Sequence, residues 1–157
     1  MSPFIFHIKN MTKEKIKFPK IKVKNSGVVS LQFYNDFPDG NLVIGEALKN
    51  VPFAIKRLYF INSLFNKQAH RGLHAHKKLE QIIFCINGSF TLKLDDGKNK
   101  QSIKMDNPYY GVRLGPLLWH TMEKFSADCV ILVLAADYYK ESDYLRNYEE
   151  FKKFIKK

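Results

Sequence analysis

From about Val28 onward the chain is a series of short apolar or alternating runs divided by turn residues. The runs are 28–34, 42–48, 53–62, 73–86 with a break near Lys77, 89–94, 100–105, 111–119 and 128–136. Runs of this length at close spacing predict an all-β sandwich or barrel. Phe90, Leu92 and Leu94 alternate with Thr91 and Lys93, the period of a strand with one buried face. Asp95, Asp96, Gly97 and Lys98 then supply a tight hairpin turn, because glycine tolerates positive φ. Residues 81–86 and 129–135 are apolar on both faces, and such strands are covered on both sides. One face fills the barrel. The other needs a second layer or a second subunit, so the pattern points to a dimer. At the end of the chain the period changes. Tyr144, Leu145, Tyr148, Phe151, Phe154 and Ile155 recur at helical spacing, which predicts one amphipathic helix capped by Ser142 and closed by Lys156 and Lys157.

Composition bounds the reading. The 157 residues suffice for one domain and fall short of two ordinary ones. The longest apolar run, 129–136, is too short to cross a bilayer as a helix. The first fifteen residues lack the long apolar stretch of a secretory signal, so a cytoplasmic location is expected. Cys85 and Cys129 both lie inside apolar runs, as buried thiols of a reducing compartment do. The net charge of +11 is uneven: residues 1–24 carry +6, residues 146–157 carry +3, and the middle only +2. Residues 1–24 therefore read as a loosely attached Lys-rich extension and 25–157 as a single domain. A basic excess gathered in the ends is solvated flank rather than a nucleic-acid-binding face.

Polar residues interrupt the apolar strand faces at three places. Alternation puts Phe53, Ile55, Arg57, Tyr59 and Ile61 on one inward face. A buried arginine is costly without a partner. Arg57 thus either pairs with an internal carboxylate, Glu80 or Asp106 for example, or waits with Tyr59 at a barrel mouth for a ligand anion. His74 and His76 share a strand face, with Arg71 and Glu80 in the same stretch. The stretch from Gly111 to His120 opens a turn at Gly115 and Pro116 and is read as leading into a strand that ends in Trp119 and His120.

The pattern His-x-His-x3-Glu, a glycine at 88 and GPLLWH at 115–120 resemble the cupin signature. That resemblance implies a double-stranded β-helix, or jelly-roll, barrel with its polar cluster inside. In metal-binding cupins the positions matching His74, His76, Glu80 and His120 ligate one metal, and such a set suits a borderline divalent ion. A closer resemblance rests on four blocks in order: VPFAIKRLY at 51–59, RGLHAHKKLEQ at 71–81, GPLLWH at 115–120 and ADYYKESDY at 136–144. Together they are similar to the nucleotide-sugar 3,4-ketoisomerases.

That resemblance covers about 42–155. It implies conversion of dTDP-4-keto-6-deoxyglucose to its 3-keto isomer for 3-amino-3,6-dideoxyhexoses of surface glycans, lipopolysaccharide among them. It also implies a homodimer with exchanged β-strands and no cofactor or metal. The chemistry removes the proton at carbon 3, passes through an enediolate and delivers a proton to carbon 4. A base poised near neutrality, donors aimed at the oxyanion and cations for the diphosphate meet its needs. On the resemblance, His74 or His76 is the base and Tyr59 the proton relay. Arg57 and Arg71 hold anions, and Glu80, Trp119 and His120 bind substrate. Asp39, Gly40 and Asn41 stand where some members carry a polar or basic residue lining the sugar site. His120 occupies a variable position that could set which face of carbon 4 is protonated, and the reading leans to the galacto-configured product. Three rivals remain: a 3,5-epimerase of the same sugar nucleotide, a metal-dependent cupin enzyme, and a non-catalytic carbohydrate-binding module.

Overall fold

The computed structural model describes residues 16–156. Among these residues twelve strands run in chain order: β1 Ser26–Ser30, β2 Gln32–Asn35, β3 Asn41–Ile44, β4 Arg57–Ile61, β5 Arg71–His76, β6 Gln81–Asn87, β7 Phe90–Asp95, β8 Lys100–Met105, β9 Tyr110–Leu114, β10 Trp119–Glu123, β11 Val130–Ala135 and β12 Tyr144–Leu145. They form two antiparallel five-stranded sheets, ordered β1-β9-β6-β11-β4 and β12-β5-β10-β7-β8, and a separate ribbon of β2 and β3. Ile83, Cys85, Val112, Ile131 and Val133 of the first sheet meet Leu92, Leu94, Ile103, Met105 and Met122 of the second in one buried cluster. This is the expected double-sheet jelly roll, held by apolar burial between two pleated inner faces.

The 89–105 hairpin follows the alternation closely. Phe90, Leu92 and Leu94 point inward, and Asp96 Oδ1 accepts the N–H groups of Lys98 and Asn99 to close the turn. Elsewhere the runs break where polar chemistry intervenes. Residues 111–119 are not one strand: the turn at Gly115 and Pro116 separates β9 from β10, so Trp119 and His120 begin a strand instead of ending one. The face assigned to 53–61 also divides. Only 57–61 is strand, while Phe53 packs with Ile82 and Phe84 on the outer side of the first sheet.

That outer cluster corrects the sequence argument for a dimer. Ile82, Phe84 and Leu134 are covered by Val29, Val51 and Phe53 of the same chain, so the doubly apolar strands find their second layer internally. Residues 16–24 are not loose either. Val23 is buried in the main core, and Lys22 and Lys24 donate backbone N–H groups to Gln101 and Asp96. The rest of the Lys-rich extension lies outside the described residues.

The end of the chain differs from the single helix expected. The 3-10 turn Glu141–Asp143 leads into β12, and helix α1 spans only Tyr148–Phe154. Its cap is Asn147, not Ser142: the Asn147 side chain accepts the N–H groups of Glu149 and Glu150. Glu149 and Glu150 stand in its first turn and Lys152 and Lys153 in its last, matching the helix dipole. Phe151 anchors the helix against Trp119 and Leu145. Tyr144 is a strand residue, and its pairing with His76 places it at the barrel mouth.

Candidate functional site

Strand β5 carries the two histidines, and glycine sets their geometry. Gly72 has φ +79°, and a Cβ there would lie 2.9 Å from the His120 carbonyl oxygen and 3.0 Å from the His120 ring. A bulge at this point, between the β5 and β10 pairings, lets His120 nest beneath the strand. The ring centroids of His74 and His76 are 4.9 Å apart, and those of His74 and His120 are 4.5 Å apart. His76 is 4% and His120 2% exposed, and His74 is half-buried.

Hydrogen bonds fix the protons. His74 Nδ1 donates to the Gly72 carbonyl at 2.9 Å, and His76 Nδ1 donates to Asp143 Oδ2 at 3.1 Å. A ring nitrogen facing an acceptor carries the hydrogen, so Nε2 of each ring is left with its lone pair. Asp143 is itself held by the N–H groups of Lys78, to Oδ1 at 2.9 Å, and Leu79, to Oδ2 at 3.2 Å. Burial lowers all three histidine pKa values. His76 falls to about 4, through burial and then the charge of His74, with Asp143 opposing. His74 is lowered chiefly by burial, and His120 is held well below the usual range by burial and its two neighbours. Near neutral pH the cluster is uncharged and presents two bare imidazole nitrogens.

Phenols and an arginine complete the mouth. Tyr59 on β4 donates its hydroxyl hydrogen to Gln81 Oε1 at 3.3 Å, and burial pushes its pKa up to about 12. The Tyr144 ring lies 4.8 Å from His74 and 4.4 Å from His76. The Arg57 guanidinium sits 5.3 Å from the Tyr59 ring and 5.8 Å from that of Tyr139. Its Nε is buried with no hydrogen-bond partner among the described residues. Neither carboxylate suggested for it is used: Glu80 pairs with Arg113, and Asp106 with Lys104. An unpartnered buried guanidinium nitrogen is costly, and it favours the ligand-anion reading of Arg57.

The structure thus gathers His74, His76, His120, Tyr59 and Arg57. Arg71 opens β5 in an exposed position. Glu80 is turned away, since Gln81, the next residue, shares the inner face with Ile83 and Cys85. Trp119 is also excluded from the histidine pocket. Adjacent strand residues face opposite ways, so with His120 inside, Trp119 packs outward on Tyr148 and Phe151, 5.1 and 5.6 Å between centroids. With Glu80 committed to Arg113, the cupin metal set does not fit. Among the described residues no group of three His, Cys, Asp or Glu side chains is arranged to hold a metal ion.

Asp143, Gln81, Tyr139 and Tyr144 were given no individual site role from the sequence. The signal for three of them was the polar block at 136–144, which continues past the last long strand. Gln81 was legible only as the polar first residue of an otherwise apolar strand.

Comparison with known proteins finds sugar-nucleotide 3,4-ketoisomerases among the similar chains. Residues 24–156 match the family model described as FdtA: WxcM-like, C-terminal. A TDP-4-oxo-6-deoxy-alpha-D-glucose-3,4-oxoisomerase of Aneurinibacillus thermoaerophilus is 52% identical over 118 residues, 75% of this chain and 84% of that protein. The 3,4-ketoisomerase QdtA of Thermoanaerobacterium thermosaccharolyticum was solved as a histidine-to-asparagine mutant with TDP-4-keto-6-deoxyglucose. It superposes with a TM-score of 0.83 at 36% identity, over 86% of this chain and 96% of that one. The WlaRB TDP-quinovose 3,4-ketoisomerase of Campylobacter jejuni gives 0.78 at 40% identity, over 83% and 99%.

Proposed function

The chain belongs to the FdtA, WxcM-like C-terminal family of TDP-sugar 3,4-ketoisomerases, and from that premise we propose that it converts dTDP-4-keto-6-deoxyglucose to the 3-keto-6-deoxyhexose nucleotide. The observation that carries the reading is the pair of neutral, Nε2-bare histidines at the barrel mouth, one of them backed by a carboxylate.

His76 is the base. Its Nε2 takes the proton from carbon 3, the C–H electron pair becomes the bond between carbons 3 and 4, and the carbonyl pair moves onto the carbon-4 oxygen. Asp143 stabilises the imidazolium from behind. His74 Nε2 accepts a hydrogen bond from the carbon-3 hydroxyl. Tyr59 relays that hydroxyl proton to the carbon-4 oxygen, and His76, after partial exchange of its proton with solvent, protonates carbon 4. Electrons stay within the sugar, so no redox cofactor enters. Arg57, with its unpartnered Nε, and Arg71 hold the diphosphate. His120 acts through His74, which it backs at 4.5 Å, and favours the galacto-configured product.

The working unit is a homodimer. Edge strand β4 leaves Leu58 57% and Phe60 61% exposed beside an open main-chain edge, a surface suited to a second copy. Sedimentation equilibrium of the parent and of Phe60→Lys tests this. A dimer that becomes a monomer supports it, and a monomeric parent at micromolar concentration refutes it. The enzyme works in the cytoplasm, ahead of glycan export. No helix among the described residues is long and apolar enough to cross a membrane.

The activity is tested by incubating the protein with dTDP-4-keto-6-deoxyglucose and a 3-aminotransferase with its amino donor. A 3-amino-3,6-dideoxyhexose nucleotide supports the reading, and its carbon-4 configuration reports the stereochemistry. Unchanged substrate contradicts it.

A further inference from the structure

An enediolate spans two adjacent oxygens, and the site described above supplies one phenol, Tyr59, whose hydroxyl hydrogen is engaged by Gln81. A second phenol stands nearby. Tyr144 projects from β12, which pairs with β5 so that Tyr144 is opposite His76. Its ring touches both histidines, 4.8 and 4.4 Å between centroids. Other side chains meet the ring from its outer side. Arg146 lies over the ring at 4.2 Å, and a bidentate bond from Arg146 Nε and Nη2 to Glu141, at 2.8 and 2.9 Å, holds that guanidinium. Tyr139 also donates to Glu141, which ties the Tyr139–Tyr144 ring contact into the same clamp. The Tyr144 hydroxyl makes no hydrogen bond to protein among the described residues. A phenol packed against two histidines, with its hydroxyl unbonded to protein among the described residues, is placed to donate to something that enters between them.

We propose that Tyr144, held by the Arg146–Glu141 clamp, is a second catalytic phenol that donates a hydrogen bond to the enediolate oxyanion on carbon 4. The inference rests on the ketoisomerase reading of the same pocket. As the proton leaves carbon 3 for His76, charge builds on the carbon-4 oxygen, and the Tyr144 O–H shortens its bond to that oxygen without giving up the proton. Tyr59 then moves the hydroxyl proton between the two oxygens. The two phenols divide the work: one stabilises charge and the other carries a proton.

Tyr144→Phe keeps the ring, its histidine contacts and the arginine stack, and removes only the hydroxyl. Turnover of dTDP-4-keto-6-deoxyglucose is expected to fall by ~10² or more, with the Kd for dTDP within about twofold of the parent. Exchange of the carbon-3 hydrogen with deuterated water, followed by NMR, is expected to fall in step, because the oxyanion must be stabilised for any exchange to occur. Turnover within threefold of the parent overturns the proposal. So does slow isomerisation with unimpaired carbon-3 exchange, since the hydroxyl would then act after enediolate formation. Loss of dTDP binding in step with turnover makes Tyr144 a structural residue and overturns it too. A parent protein that neither exchanges nor isomerises the substrate refutes the ketoisomerase reading itself, a result distinct from an active parent with an unaffected variant.

Discussion

Asp143→Asn removes a charge from behind the base and leaves the shape nearly unchanged. Its carboxylate accepts from His76 at 3.1 Å and from two backbone N–H groups, with the pair 4% and 15% exposed. At that separation and an effective dielectric of about 20, full ion-pair attraction is about 5 kcal/mol. Only part of the imidazolium charge has formed in the transition state, so about 2–4 kcal/mol of stabilisation is at stake. At about 1.4 kcal/mol per decade that is a loss of roughly 30- to 1,000-fold in kcat. Affinity for dTDP is expected to stay within twofold, because Asp143 faces His76 and not the anion-binding arginines. The pH profile adds a sign. Asp143 raises the His76 pKa, so its removal lets the ring stay neutral to lower pH. The acidic limb of kcat/KM is expected to move down while the plateau drops. A variant within threefold of the parent at its plateau, or an acidic limb displaced upward, refutes this role for the carboxylate.

Gly72→Ala is expected to lower both stability and turnover, because φ +79° strains any side chain and the new Cβ meets the His120 carbonyl at 2.9 Å. A cost of about 1–3 kcal/mol appears as a Tm several degrees lower in a thermal melt. Phe151→Ala empties a fully buried position beneath Trp119, with an expected cost of about 3–5 kcal/mol by urea unfolding. Stability also depends on pH with a definite sign. His76 titrates near 4 in the folded protein against 6.5 when unfolded, and His74 and His120 are lowered too. The unfolded chain therefore gains protons first as pH falls. The stability these neutral rings allow is complete above about pH 6.5 and is lost towards pH 4, which unfolding curves at pH 7.5, 6 and 4.5 would show as a falling midpoint.

Much of the fold was legible because alternation is a local property. Phe90, Leu92 and Leu94 needed only their neighbours to declare a buried face, and the Asp96-Gly97 turn followed from its own chemistry. The errors arose where partners distant in sequence decide. Whether Ile82 and Phe84 need a second subunit depends on Val51 and Phe53 folding back over them, which no period reveals. Tyr144 and Leu145 fit a helical stripe with Tyr148 and Phe151, yet pairing with β5 overrides that pattern and makes them strand. In the site, spacing marked His74 and His76 as candidates and the family resemblance gave them their role. Asp143 could not be, since its role rests on a contact across 67 positions of sequence. Glu80 and Trp119 were assigned from a motif in which the adjacent residues, Gln81 and His120, face the pocket.

The most direct test of the mechanism follows hydrogen at each sugar carbon during turnover of dTDP-4-keto-6-deoxyglucose in deuterated water. A ketoisomerase places deuterium at carbon 4 of the 3-keto product and none at carbon 5, and the carbon-4 signal is absent in His76→Asn. Deuterium entering carbon 5 would show epimerase chemistry, and a substrate that binds and neither exchanges nor isomerises would contradict catalysis altogether.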